Sequence, residues 1–183
     1  GKIEDSHVLS SESCALDTID AEFVRDVEPG EIVVINKNGI KSITKYHQEL
    51  SSSCVFEFVY FARPDSTIDG KSIHIARWEA GKRLAQEYPV DADLVIGVPD
   101  SGTVAGMGFS AQSGIPFANG LMKNRYVGRT FIKPSQNLRS IGVKIKLNPV
   151  REVVDGKRVV MVDDSIVRGT TSGQIVKMLK EAG

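Results

Sequence analysis

The chain of 183 residues is poor in cysteine, with only Cys14 and Cys54 and no Cys-x-x-Cys spacing. That excludes a disulfide scaffold and a self-contained cysteine metal site, and leaves buried free thiols as the expectation. No apolar run approaches the ~20 residues that a membrane-spanning helix needs. The first residues, Gly1 to Asp5, do not form a secretory leader. A cytoplasmic protein without membrane partners is the expected class. A starting methionine is also lacking, and the chain stops at Gly183, where a helix would hand over to a further strand. The expectation is a fragment of a longer protein.

An excess of either charge is lacking too, since 23 basic residues balance 23 acidic ones. This argues against a whole-molecule nucleic-acid surface. The balance is uneven along the chain, however. Between Asp100 and Glu152 there is no acidic residue, while eight basic ones run from Lys123 to Arg151. Such a segment is either a solvated basic face or a local anion site. Its part from Asn124 to Ser140 is rich in Gly, Asn, Ser and Gln, shows no clean period, and reads as a long loop.

What is present centres on residues 158–171. Val159 to Val162 form a short apolar run without alternation, as expected of a strand buried on both faces of a parallel sheet. Asp163 and Asp164 close it. A loop with Ser165, Gly169, Thr170 and Thr171 follows, and then Ile175, Met178, Leu179 and Ala182 fall on one face at helical spacing. A helix start favours a phosphate through its backbone N–H groups and dipole. The two carboxylates would repel that phosphate, so they face sugar hydroxyls or a metal ion. A sugar phosphate satisfies both halves. The plainer reading makes the two aspartates solvated strand-end residues and Thr170 an ordinary N-cap. The whole run Val159 to Thr171 is more demanding than that, and it resembles the PRPP-binding (5-phosphoribosyl-1-pyrophosphate) signature of the type I phosphoribosyltransferases.

The rest of the chain reads as follows. Residues 1–50 suggest a short β-meander, with strands at Ala21 to Val24, Glu31 to Ile35 and Ile40 to Thr44; the turn at Asn36 to Gly39 suits a hairpin. Val55 to Phe61 alternates as an aromatic strand. Ser72 to Tyr88 is a helix with Ile73, Ala76, Ala80 and Leu84 as its apolar stripe, and Trp78 is a packing residue. Leu94 to Val98 is a second buried strand. Asp100 to Thr103 then form a small-residue loop opening a helix over Val104 to Gln112, a second place for an anionic group. Two such loops at strand C-termini are where an α/β sheet binds ligands. Asn119 to Lys123 reads as a third strand.

The segments Phe58 to Ser66, Lys123 to Ile132 and Val160 to Thr171 together resemble the glutamine phosphoribosylpyrophosphate amidotransferase family. Residues 8–50, with Ser11-Glu-Ser-Cys-Ala-Leu-Asp17, resemble the last part of that family's N-terminal glutaminase domain. The family's nucleophilic cysteine is not in the chain. The resemblance implies an α/β fold of the type I phosphoribosyltransferase kind over 51–183, truncated at its C-terminal end. A β-rich remnant of an Ntn-type glutaminase domain would precede it at 1–50. It implies formation of 5-phosphoribosylamine and pyrophosphate from PRPP and glutamine-derived ammonia, the first step of purine synthesis.

Site residues follow from the same resemblance. Asp163 and Asp164 would take the ribose hydroxyls and Mg²⁺. Ser165, Ile166, Val167, Arg168, Gly169, Thr170 and Thr171 would hold the 5′-phosphate. Asp100, Ser101, Gly102 and Thr103 would hold pyrophosphate, with Ser101 as a metal contact. Tyr126, Arg129 and Lys146 would belong to a catalytic lid. Cys54 matches a ligand position of the [4Fe–4S] cluster that some members carry. Purine nucleotides would be feedback inhibitors and the protein a homo-oligomer. A nucleobase salvage phosphoribosyltransferase and a PRPP-sensing regulator are the alternatives.

Overall fold

The computed structural model describes residues 1–44, 52–126 and 145–183. The chain divides into two compact units, Gly1–His74 and Ile75–Gly183.

In the first unit, β1 (Lys2–Ile3) and β2 (Ser6–His7) pair antiparallel, and α1 (Ser13–Asp17) buries Cys14 and Leu16. The hairpin is present. β3 (Ile32–Asn36) and β4 (Gly39–Ile43) pair with Ile35 opposite Ile40 and Asn36 opposite Gly39. The turn therefore has two central residues, and the Asn36 side chain accepts the Asn38 N–H at 2.8 Å, an Asx turn. Ala21 to Val24 is not a strand. Glu22 alone exchanges backbone hydrogen bonds with Lys2, at 2.7 and 2.8 Å, while the strand expected beside it, Glu31 to Ile35, pairs with β4.

Val55 to Phe61 is not a strand either. Glu57–Phe61 forms a π-helical turn, closed by the Ala62 N–H donating to the Glu57 carbonyl at 3.1 Å. Alternation suits a strand only where a partner supplies the ladder; here the backbone bonds are made locally. Beyond it, β5 (Thr67–Ile68) and β6 (Lys71–Ser72) form a minimal hairpin. The thiols divide: Cys14 is buried and Cys54 exposed, so the expectation of two buried thiols holds for the first alone.

Helix α2 (Ile73–Glu87) leads into the second unit. Its buried positions are Ile73, Arg77, Gly81 and Ala85, one face at i, i+4 spacing. The apolar stripe read from the sequence is thus offset, with Ile73 shared and Leu84 38% exposed. The choice of face follows from size. A methyl group at Gly81 would stand 1.9 Å from the Ala105 carbonyl oxygen, and one at Gly108 would stand 2.1 Å from that of Trp78. Only hydrogen fits where these two helix backbones meet.

β7 (Leu94–Gly97) and β10 (Val159–Val162) are parallel neighbours with Leu94 opposite Val159 and Gly97 opposite Val162. Leu94 and Ile96 face a core with Leu121, Leu147, Ile175 and Met178. Val95 and Val162 face another with Ala85 and Phe109. Burial on both faces is why neither strand alternates. Helices α3 (Ser101–Ser113) and α5 (Thr170–Ala182) thus lie in different layers. On the side of β7 away from β10, the Val95 N–H donates to Pro116 and its carbonyl accepts from Ala118, with Val95 and Phe117 in a parallel bridge. β8 (Leu121–Lys123) pairs antiparallel with β9 (Leu147–Pro149). The short helix α4 (Arg151–Val154) connects β9 to β10. Residues 127–144, which include most of the expected loop, lie outside the described residues.

Candidate functional site

The chain leaves β7 towards a parallel neighbour on one side and later returns as β10 on the other. This divergence is a topological switch point, and the C-terminal ends of strands at such a point are where open α/β sheets bind ligands. The loops after β7 and β10 both begin there. The Val98 N–H donates to the Val162 carbonyl at 2.8 Å, continuing the ladder. A methyl at Gly102 would meet that same carbonyl oxygen at 2.6 Å, so the first turn of α3 lies directly on the end of β10 and glycine is required.

Side chains then tie the loops together. Ser101 Oγ donates to Asp164 Oδ2, and Ser165 Oγ donates to Asp164 Oδ1. Asp163, half-buried beside it, accepts the Asp164 N–H at 2.9 Å. Burial raises the Asp163 pKa above its ordinary value, and the neighbouring Asp164 charge adds to the rise, while the hydrogen bond from the Asp164 N–H opposes it. The two adjacent carboxylates are therefore unequal: Asp164 is satisfied by hydroxyls, and Asp163 is partly desolvated.

The expected residues of the first loop, Asp100 to Thr103, stand at the start of α3, which begins at Ser101 and not at Val104. Asp100 occupies the N-cap position of that helix, but its side chain makes no capping hydrogen bond. Its carboxylate pairs with Lys123 Nζ, the last residue of β8. Lys123 is the first residue of the basic run read from the sequence, and its pairing with Asp100 is not evident there. In the second loop, Ser165 to Thr171 are exposed, with Ile166 at 76% and Val167 at 83%. Gly169 takes φ 70° immediately before α5, a left-handed conformation suited to glycine, and no acidic residue occupies the first turn of that helix.

The residues expected in a lid are described in part. Asn124 donates its N–H to the Lys146 carbonyl at 2.7 Å, extending the β8–β9 ladder. Tyr126 is 99% exposed and is not gathered into the site. Arg129 lies outside the described residues.

The oxygen donors Ser101, Asp163 and Asp164 suit a hard cation such as Mg²⁺, which commonly uses one or two carboxylates and keeps the rest of its shell for water and ligand oxygens. A [4Fe–4S] cluster takes four thiolates, whereas this chain has Cys14 and Cys54 alone. The chain's own residues do not fit that cluster. Among the described residues, no helix is long and apolar enough to cross a membrane.

No protein-family model matches the chain. Individual proteins do. Amidophosphoribosyltransferase of Mycobacterium tuberculosis is 56% identical over 183 residues, covering 100% of this chain and 34% of the relative. That of Bacillus subtilis is 56% identical over 184 residues, covering 100% and 38%. Among solved structures, glutamine phosphoribosylpyrophosphate amidotransferase from B. subtilis, complexed with ADP and GMP, superposes with a TM-score of 0.83. It is 58% identical over 94% of this chain and 38% of that one. A structure described as the allosteric regulatory enzyme of purine biosynthesis gives 0.82 at the same identity. The chain is thus similar along its whole length to amidophosphoribosyltransferases and spans between a third and two-fifths of the two named relatives.

Proposed function

We infer that this chain is the PRPP-binding part of an amidophosphoribosyltransferase, and that its site transfers a phosphoribosyl group to ammonia. The observation that carries the reading is the tie between Ser101 and Asp164 at the ends of two parallel strands. It brings an acidic, hydroxyl-bearing loop against a second loop that opens a helix. Similarity over the whole chain to amidophosphoribosyltransferases favours this over a salvage enzyme or a PRPP-sensing regulator.

In the reaction, the nitrogen lone pair of ammonia forms a bond to C1 of the ribose as the C1–O bond to pyrophosphate breaks. Pyrophosphate leaves with that electron pair, and the ammonium nitrogen releases a proton to solvent. Positive charge grows on the sugar and negative charge on the leaving group. Asp163 and Asp164 would bind the ribose hydroxyls and stabilise the cationic centre. Residues Ser165 to Thr171 would receive the 5′-phosphate, using the start of α5 and the hydroxyls there. The Asp100 to Thr103 loop would hold the pyrophosphate. Arg129 and Lys146 would stabilise the leaving group from a lid that also bears Tyr126, and its closure would exclude water. Mg²⁺, held by Ser101, Asp163 and Asp164, would neutralise charge on the pyrophosphate.

On the same reading, residues 1–50 are the end of an Ntn-type glutaminase domain and 51–183 belong to a phosphoribosyltransferase domain. Glutamine would supply ammonia in the whole protein. Purine nucleotides would inhibit it, and it would work in the cytoplasm as a homo-oligomer. Any iron–sulfur cluster that used Cys54 would draw its other ligands from elsewhere in the protein.

Calorimetric titration with PRPP, with and without Mg²⁺, tests the site. Metal-dependent binding that disappears in the Asp163→Asn/Asp164→Asn double variant is expected. A folded protein that binds no PRPP would remove the assignment.

A further inference from the structure

We propose that Asp100 is a built-in counter-ion which holds Lys123 in place for the ligand's pyrophosphate group and gives way to it on binding. The proposal rests on the phosphoribosyl reading above and deepens it. Lys123 becomes a pyrophosphate-binding residue, and the Asp100 side chain acts as a positioning group. The backbone and hydroxyls of the Asp100 to Thr103 loop remain the ligand contacts.

The starting point is a conflict of charge. A loop that receives pyrophosphate should not present a carboxylate to it, since like charges at close range disfavour both. Asp100 stands at the head of that loop, yet its carboxylate does not cap α3. It reaches instead across 23 positions of sequence to Lys123. An acidic side chain that holds a lysine at the mouth of an anion site occupies the place that an anionic ligand would take.

Three features make the pair exchangeable. Both side chains are open to solvent, at 43% for Lys123 and 71% for Asp100, and exposed ion pairs contribute little to stability. A multiply charged pyrophosphate group therefore competes well against a single carboxylate for the same ammonium. Lys123 also sits on a fixed base: it is paired with Leu147 in the β8–β9 ladder, and the next residue, Asn124, donates to Lys146. Only its side chain needs to move. The neighbouring acids are engaged otherwise, because Asp164 accepts the hydroxyls of Ser101 and Ser165 and Asp163 accepts a backbone N–H.

The resulting exchange is neutral in charge at Lys123: one anion leaves the ammonium and another arrives, while the Asp100 carboxylate turns to water. Before the ligand arrives, the pair holds the lysine's ammonium at the head of the loop after β7, which lowers the ordering cost at the moment of binding.

Inorganic pyrophosphate is the probe, titrated calorimetrically into the intact protein and its variants, with circular dichroism confirming that each is folded. Asp100→Asn should bind pyrophosphate about threefold more tightly, because the competitor for Lys123 is gone. Lys123→Gln should bind about tenfold more weakly, and Lys123→Arg should stay near the parent value. In the double variant, the gain from Asp100→Asn should shrink, which is the coupling a double-mutant cycle measures. Weaker binding in Asp100→Asn, or indifference to both substitutions, would overturn the proposal while leaving the phosphoribosyl site standing. A folded parent that bound neither pyrophosphate nor PRPP would overturn both.

Discussion

Ser101 and Asp164 are 63 positions apart in sequence and joined by a hydrogen bond from hydroxyl to carboxylate. The bond ties the loop after β7 to the loop after β10. Replacing Ser101 by Ala removes a charge-assisted tie at a half-buried position. It should lower stability by about 1 kcal/mol and weaken Mg²⁺-dependent PRPP binding. Denaturant midpoints and calorimetry read the two effects separately; a variant matching the parent in both would mean that the tie is not made in solution.

Gly102→Ala should be costlier. The added methyl would lie 2.6 Å from the Val162 carbonyl oxygen, and the obstacle is backbone rather than a flexible side chain. Overpacking of this kind costs about 1–3 kcal/mol. Gly173→Ala is the comparison, since a methyl there meets nothing within 4 Å and alanine favours the helix. Thermal melting should rank Gly173→Ala at or above the parent and Gly102→Ala well below it.

The elevated pKa of Asp163 has a definite sign in stability. The folded state holds the proton more tightly than the unfolded chain, so stability falls as pH rises from the ordinary value of 3.8 through the elevated one. The loss persists at neutral pH. Asp163→Asn should therefore melt higher than the parent at pH 7 and converge with it below about pH 3.8, while binding less PRPP. A melting point below the parent's at pH 7 would count against desolvation as the governing cause.

At the opposite ends of the same strands the sign reverses. Arg158 donates to Asp93 at 2.8 Å, and that side-chain bond, with the Arg158 N–H, lowers the Asp93 pKa to about 2. The contribution is present above the ordinary 3.8 and is lost as pH falls towards 2. Asp93→Asn should flatten the acid limb of the stability profile over that interval. An unchanged limb would show that the pair is loose in solution.

In the first unit, Glu12 Oε2 accepts the Arg63 N–H and the Ser66 hydroxyl, each at 2.8 Å, and Ser66 is 1% exposed. Glu12→Ala would strand a buried hydroxyl, at a cost of about 1–3 kcal/mol. Glu12→Gln, which keeps an acceptor, should recover most of it. Proteolysis around Arg63 gives a local readout; equal susceptibility in all three proteins would argue that this carboxylate does not organise the segment.

The parts of the fold legible in the sequence were those governed by local rules. Val159 to Val162 and Leu94 to Val98 were apolar without alternation because they are covered on both faces, and the Asn36 to Gly39 turn carried its own chemistry. The acidic pair and the polar loop could be read because their order along the chain is their order in space. Partner choice was not legible. The aromatic alternation of Val55 to Phe61 looked like a strand, but nothing local reveals whether a ladder exists for it. The stripe on α2 was misplaced because small residues, not large apolar ones, mark the face where Gly81 meets Ala105. Lys123 begins the basic run and Asp100 heads the small-residue loop, but their pairing depends on the pairing of β8 with β9, set by residues more than 20 positions away.

The glycine contacts between α2 and α3 bear on how the site can respond to what it binds. With Gly81 against Ala105 and Gly108 against Trp78, the two helices mesh backbone to backbone, and neither can slide or roll without collision. Helix α3 is thereby a fixed post under Asp100 and Ser101. Adaptation at that end of the site belongs to rotating side chains, on the timescale of rotamer exchange rather than of helix movement.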